Sequence, residues 1–412
     1  MKLQIEKFGP ILNYTFDIKD VNIFIGESAT GKSIITKLIY ISNTFVRFII
    51  SKEINSNLTN SNIILNLKKS FEKSYFNIFQ DTYKNFNFTY YYTDEKFVRF
   101  THSNKSQYKV EFSDELKREI ETAYTNFKKR FENLEKNNIE SDSMLPSIYR
   151  LLLFQELKKV FTKDNYIYIP AGRSFFTMLS KNIFSIIENG VEIDYIFTQF
   201  GGLFQNAKKE FENLNKKISK KDLLFIESKY KELLKGTYAF VDDEDRIYIS
   251  KDEYLPLNQI SSGQQELLPA LLILLSVLNS KTSTTIIFEE PEAHLFPKDQ
   301  QRLIELLIYV LNHTQSGNRL IITTHSPYIL ESFNNHLKKD KIKDMKIDDE
   351  DIKKIEPLNS KNISAYLLGK EKISDILNSN LGLIDDKLLS SFNEINTLYD
   401  KMRDIEWENT ND

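Results

Sequence analysis

The run Gly26–Ser33, GESATGKS, lies between a strand-like segment and a helical one, and this order constrains the chain more than any other feature of it. Val21–Ile25 (VNIFI) is almost continuously apolar, and the IITKLIYI that follows has helical spacing. A glycine-bearing turn between such a strand and such a helix opens a βαβ unit, which calls for a parallel sheet buried on both faces. Thr284–Phe288 (TTIIF) and Arg319–Thr323 (RLIIT) are runs of the same kind, each followed by a polar turn and a helical pattern. The core therefore draws on both ends of the chain, and the expected fold class is α/β with a mostly parallel core sheet.

The middle reads differently. Phe86–Phe112 alternates apolar and polar residues (FNFTYYY, KFVRFTH, QYKVEF), the pattern of antiparallel hairpins. Residues 113–163 and 174–235 read as helices rich in Lys, Glu, Phe and Leu, with Tyr166–Ile169 a short strand ended by Pro170. No apolar heptad persists long enough for coiled-coil arms. The expected division is a composite core of 1–48 and 238–337, a β-subdomain over 49–112, a helical insertion over 113–237 and a closing strand and helix within 355–412. Ile363–Leu368 is the strand of that last segment and Asp385–Glu406 its helix, and the charge-rich Lys338–Lys354 is an exposed connector.

Composition narrows the function classes. The chain has 412 residues, 41% hydrophobic and 27% charged, the balance of a folded globular protein. Its 55 basic and 58 acidic side chains leave a net charge of −3, so no global field draws it to nucleic acid or an anionic membrane. It has no cysteine, which excludes disulfides and thiolate metal sites. Neither the start MKLQIEKFGP nor the apolar stretch Leu267–Leu278, interrupted by Pro269, suits a signal peptide or a membrane span, and the expectation is a cytoplasmic protein with no membrane partner.

The chemistry-bearing residues lie where strands end. In GESATGKS the backbone N–H groups and the helix N-terminus form an anion cradle for the β and γ phosphates of ATP; Lys32 adds a positive charge and the Ser33 hydroxyl a ligand for Mg²⁺. Glu289 and Glu290 leave the sheet at the same edge. Glu289 is assigned to the metal with Ser33, and Glu290 to polarising the attacking water. His325 follows the third strand and reaches the same edge, within range of the γ-phosphate. Lys32, Glu290 and His325 form the expected catalytic set. Gly26, Glu27, Ser28, Ala29, Thr30, Gly31, Lys32, Ser33 and Ile34 form the expected nucleotide cradle. Ser261, Ser262, Gly263 and Gln264 open a strongly apolar helix; Ser262 with Gln265 fits a capping box, and the helix start presents N–H groups and the Ser261 hydroxyl to a nucleotide held by another copy. Arg173, after Pro170, is a candidate either for nucleotide or dimer contact or for a surface or ion-paired residue.

Taken in order, GESATGKS, SSGQQE, IIFEEPEAHLFP and IITTHSPYIL resemble the Walker A, signature, Walker B with D-loop, and H-loop of ABC-type P-loop ATPases. The EPEAHLFP continuation resembles the branch that holds SMC-type, OLD-type and prokaryotic antiviral-defence ATPases. EKFGPI and YIPAGRS (168–174) are similar to segments of the ATPase subunits of prokaryotic antiviral defence systems such as PARIS and Septu. The resemblance implies an ABC-type head hydrolysing ATP with Mg²⁺, a head-to-tail dimer in which Ser261 acts across the interface, Glu290 as catalytic glutamate, His325 as switch histidine and Ala293–Phe296 as D-loop. Glu289 stands where the family has aspartate, and Ser262 where many signatures have glycine. Gln80, Gln107 and Gln155 all remain open for the Q-loop glutamine.

Two roles follow from the resemblance. One is a nucleotide-gated sensor or scaffold in antiviral defence, working through a separate effector such as a nuclease or toxin. The other is a DNA-repair or chromosome-maintenance ATPase clamping DNA directly, for which the lysine pairs Lys208–Lys209, Lys216–Lys217 and Lys220–Lys221 are the candidate surface.

Overall fold

The computed structural model describes residues 1–50, 60–80, 82–103, 108–136, 145–162, 164–178, 194–211, 220–242, 244–278, 280–313, 317–370, 372–385 and 402. Strand β1 (Lys2–Phe8) turns at Gly9 and Pro10 into β2 (Ile11–Asp17), and β3 (Val21–Gly26) leads into helix α1 (Lys32–Thr44). Helix α2 (Asn60–Phe79) precedes the hairpin strands β4 (Phe86–Tyr91), β5 (Phe97–His102) and β6 (Lys109–Phe112). Helices α3 (Asp114–Lys136) and α4 (Leu145–Phe161) lead to β7 (Asn165–Ile169), α5 (Ser174–Met178), α6 (Tyr195–Phe211) and α7 (Lys220–Leu234). Then come β8 (Thr237–Val241), β9 (Glu244–Tyr248), β10 (Tyr254–Pro256), α8 (Ser262–Val277), β11 (Thr284–Glu289), α9 (Pro297–His313), β12 (Arg319–Thr324), α10 (Pro327–Ile342), β13 (Ile363–Leu368) and β14 (Ile373–Asp375).

The core sheet has the order β14-β13-β3-β12-β11-β7, parallel except for β14. Each strand sends alternate residues to opposite faces. Phe24, Ile287, Ile321 and Tyr366 pack with α1 and the antiparallel strands, whereas Ile23, Ile25, Phe288, Ile322 and Ala365 pack with α8, α9 and α10. Continuous burial of β3 and β11 follows from this two-sided cover. Helix α8 is enclosed from Glu266 to Leu275 and tolerates Pro269 near its start. A second, antiparallel sheet runs β2-β1-β4-β5-β6, and a small one runs β10-β9-β8.

These pairings cut across the division expected from sequence. The core sheet takes β7 from within 113–237 as its edge strand and β13 from within 355–412 as the neighbour of β3. The antiparallel sheet takes β1 and β2 from the stretch assigned to the core. The connector expected from Lys338 is a correction: α10 continues to Ile342, because Ile329, Leu330, Phe333 and Leu337 carry an apolar face past the start of the charge run and the Lys339 stem is buried along it. The short helix at Glu350–Lys353 is exposed, as a connector should be. The helix expected over Asp385–Glu406 lies outside the described residues apart from Asp385 and Met402. No helix among the described residues is long and apolar enough to cross a membrane.

Candidate functional site

The phosphate-loop segment leaves β3 through Gly26, where backbone from β13 comes so close that an added Cβ would stand 2.2 Å from Leu368 O. It enters α1 through Gly31, whose φ of 99° and contact with Ile11 and Pro10, 2.9 Å and 3.2 Å from an added Cβ, exclude a side chain. The α1 N-cap has no side-chain hydrogen bond, which leaves its first amides available to an anion. Thr30 Oγ1 donates to Glu27 O at 2.9 Å and shapes the loop. Glu27, Ser28, Ala29 and Ser33 are exposed, while Lys32 and Ile34 are buried. Lys32 Nζ donates to Gly26 O at 2.8 Å and Glu27 O at 2.7 Å. Burial lowers the ammonium pKa, opposed by the carboxylates of Glu290 and Glu292.

The other strand ends meet this lysine. His325, just past β12, holds Nδ1 3.4 Å from Lys32 Nζ and Nε2 3.4 Å from Glu290 Oε1. Glu290 has a left-handed backbone, φ 45°, pinned by its N–H donating to Thr323 O at 2.9 Å. Glu289 is buried one residue earlier. Its Oε1 accepts from Tyr168 Oη at 2.8 Å and from Thr36 Oγ1 at 3.5 Å, and its Oε2 accepts from the Ala171 N–H at 3.4 Å. Burial and this carboxylate hold the Tyr168 hydroxyl well above the usual phenol range, so Tyr168 is the donor. Strand order puts Lys32, Glu289, Glu290 and His325 at one edge because β3, β12 and β11 are adjacent and parallel.

Four participants were not read from sequence. Tyr168 and Thr36 bracket Glu289; Thr36 is a lone hydroxyl in an apolar helical run, a signal for a buried partner. Glu292 Oε1 accepts from the His325 N–H at 2.6 Å and Thr324 Oγ1 at 2.8 Å, so it fixes the backbone that carries the imidazole. Glu266 is the carboxylate that directly precedes the apolar run of α8 and is buried with it, and a buried carboxylate calls for a charged or hydrogen-bonding partner.

The partner is Arg173, which is 1% exposed. Of its two sequence readings, the ion pair is what the structure contains, though buried instead of on the surface: Nε lies 3.4 Å from Glu266 Oε2. The loop after β7, Pro170–Ser174, is the segment that reaches the twin carboxylates, and it holds no glutamine. Gln80 ends α2 with φ 51°, Gln155 is exposed on α4, and Gln107 lies outside the described residues.

At the α8 start the capping box is Ser261 with Gln264, one residue earlier than Ser262 with Gln265. The shift arises because Ser261 takes the extended N-cap conformation, its Oγ accepting from the Gln264 N–H at 3.3 Å while Gln264 Oε1 accepts from the Ser261 N–H at 2.9 Å. Gln265 Nε2 instead donates to Leu257 O and Ile260 O. Ser261, Ser262 and the cap face solvent, and Gly263 packs on the D-loop, where an added Cβ would stand 2.8 Å from His294 O. Within that loop Phe296 is 75% exposed.

The lysine surface is corrected in one place. Lys208 is buried, its Nζ 2.6 Å from Asp245 Oδ2 and 4.6 Å from the Phe204 ring, because α6 packs this face on the small sheet. Lys216 and Lys217, and the side chains of Lys220 and Lys221, lie outside the described residues.

A family model described as AAA ATPase domain matches residues 1–330. No curated protein matches the chain in sequence. Among solved structures it is similar to an Smc head bound to the C-winged helix domain of ScpA (TM-score 0.40, 11% identity, covering 91% of this chain and 96% of that one). It is similar also to the SMC head domain from Thermotoga maritima (TM-score 0.36, 10% identity, 91% and 97%). The recombination mediator protein RecF gives a TM-score of 0.32 at 11% identity over 91% and 97% of the two chains.

Proposed function

This chain belongs to the AAA ATPase domain family and is an ATPase, and we propose from that premise that two copies meet head to tail to complete its nucleotide sites. The observation that carries the hydrolytic reading is the run Lys32–His325–Glu290, with 3.4 Å at each step, at the mouth of an uncapped helix, and the exposed Ser261–Gln264 cap is the part left for a second copy. In the proposed reaction ATP lies with its phosphates on the Gly26–Ile34 segment. Glu290 takes a proton from a water whose oxygen bonds to the γ-phosphorus as the bond to the β–γ bridging oxygen breaks, leaving ADP and phosphate. Lys32 neutralises the transferred oxygens and His325 reads the γ-phosphate. The Ser261–Gln264 cap of the other copy covers the far side.

The residues fit Mg²⁺: Ser33 offers an exposed hydroxyl and Glu289 a single buried carboxylate, the sparse protein ligand set of an ion that also takes substrate phosphates. When bound, the ion supplies charge neutralisation at the β and γ oxygens.

We further propose a nucleotide-gated sensor or scaffold role in antiviral defence, with a separate effector. The EPEAHLFP and YIPAGRS segments support it. The burial of Lys208 in an ion pair removes one of the six lysines offered for the DNA-clamp alternative, since that charge is not presented to a duplex. The test is chromatography of Glu290→Gln with ATP and Mg²⁺, which should give a dimer; a monomer only would overturn two-copy completion. Cells carrying the chain with its neighbouring genes should lose phage protection on the same substitution. Tight, ATP-strengthened binding to plain duplex DNA at physiological salt would replace the defence reading with the clamp.

A further inference from the structure

Arg173 is 1% exposed, and each nitrogen of its guanidinium donates to a backbone carbonyl. Nη1 donates to Pro170 O at 2.9 Å and Glu289 O at 2.7 Å, Nη2 to Glu290 O at 3.2 Å, and Nε to Glu266 O at 3.1 Å. The group lies over the Phe288 ring at 4.9 Å. Its carboxylate partner is equally engaged: Glu266 Oε2 accepts the Arg173 N–H at 2.9 Å, and Oε1 accepts from Ser174 Oγ at 2.7 Å and the Ser174 N–H at 3.2 Å. Burying such a pair costs several kcal/mol of desolvation, recovered only with good geometry, and hydrophobic residues would fill the space more stably. A stability role alone therefore accounts poorly for it.

Its connections suggest another role. Glu266 is one turn inside α8, whose exposed N-terminus is the Ser261–Gln264 cap. The carbonyls on the other side of the guanidinium belong to Glu289 and Glu290, the residues at the hydrolytic edge. A second contact ties the same two parts, since Gly263 packs on His294 O closely enough to exclude a methyl group. Glu290 itself is held in a left-handed conformation that an L-residue adopts only when its surroundings impose it, so its carboxylate direction depends on what pins its backbone.

We propose that Arg173 is a positioning residue that couples the two nucleotides of the dimer: engagement of the α8 N-terminus by the partner's ATP is transmitted through Glu266 and the guanidinium fork to the Glu290 backbone. Hydrolysis at a chain's own phosphate loop thereby depends on the nucleotide held by the other copy. The inference rests on the two-copy reading above. A planar fork is required, because it spans carbonyls of four residues that a single ammonium cannot reach together.

The test uses the full chain with Arg173→Lys and, separately, Glu266→Gln, which keeps the side-chain shape and an acceptor oxygen. Each folded variant should bind ATP within about threefold of the parent, lose about tenfold or more in kcat at nearly unchanged KM, and lose cooperativity in ATP, the Hill coefficient falling towards one. Combined with Glu290→Gln, each should still dimerise with ATP. Retention of kcat and cooperativity, a defect confined to KM, or loss of ATP-driven dimerisation in the combined variant would each overturn the coupling role. If Arg173→Lys does not fold, Glu266→Gln decides by the same readouts. Glu290→Gln alone, with Arg173 intact, judges the two-copy reading, so the two failures are told apart.

Discussion

Tyr168 donates a 2.8 Å hydrogen bond to Glu289 Oε1, placing a phenol from the edge strand β7 against the carboxylate that ends β11. Thr36 touches both, at 2.8 Å from the phenol and 3.5 Å from the carboxylate, so Glu289, the proposed metal ligand, is held from two elements.

Tyr168→Phe removes one donor and leaves Thr36 without its closer partner. Outer-shell changes of this kind cost about 10–100-fold in metal affinity or activity. The expected outcome is a rise of about tenfold in the Mg²⁺ concentration that half-activates the ATPase, with a stability loss of about 1–3 kcal/mol. An unchanged Mg²⁺ titration would separate Glu289 from the metal.

Lys32→Ala removes the buried ammonium that faces His325 and the phosphate loop. Binding of a fluorescent ATP analogue should weaken by about a hundredfold or more, since a charge-assisted contact to phosphate is lost in a site partly screened from water. Equal affinity in parent and variant would contradict the assignment of the loop.

Glu292→Ala should act on the chemistry and leave binding nearly intact. Without the carboxylate the His325 N–H and Thr324 Oγ1 lose their acceptor. We expect kcat to fall by about tenfold or more while ATP affinity stays within about threefold. Glu292→Gln, which keeps an acceptor oxygen, should recover most of the rate; failure of that rescue would point to a role for the charge.

His336 on α10 gives a pH dependence. It is 1% exposed, its Nδ1 is 2.6 Å from Glu356 O, and burial lowers its pKa against the opposing pull of that carbonyl, Glu305 and Glu356, with Lys229 acting in the same sense as burial. The folded chain then takes up the His336 proton less readily than the unfolded chain, whose imidazole has the ordinary value of 6.5, so the unfolded state binds more protons and stability falls as pH drops through that value. The melting temperature should drop more between about pH 7.5 and 5.5 in the parent than in His336→Gln. Equal drops would exclude this histidine as a source of the acid sensitivity.

The motifs were legible because each sits where a continuously apolar strand stops, and parallel strands deliver their carboxyl ends to one edge. Val21–Ile25, Thr284–Phe288 and Arg319–Thr323 are the three central neighbours of the sheet for that reason. What escaped is pairing between distant segments. Asn165–Ile169 is too short and too close to Pro170 to announce that it forms the sheet edge, and only the structure brings Tyr168 to Glu289. The α8 cap was read one residue late because serines at 261 and 262 both have a glutamine three positions on, and local pattern alone cannot choose between two overlapping boxes. Arg173 was ambiguous because an arginine after a strand has no local sign of burial. Its acceptors are mostly backbone carbonyls, which sequence does not display.

Strand β13 has one more implication. The stretch by which the family is recognised ends at residue 330, yet the strand pressed against Gly26 is built from 363–368. A polypeptide trimmed to the recognised stretch would leave one border of β3 bare beside the phosphates. The folded sheet is therefore longer than its family signature, since β3 has its neighbour on that side only from residues 363–368.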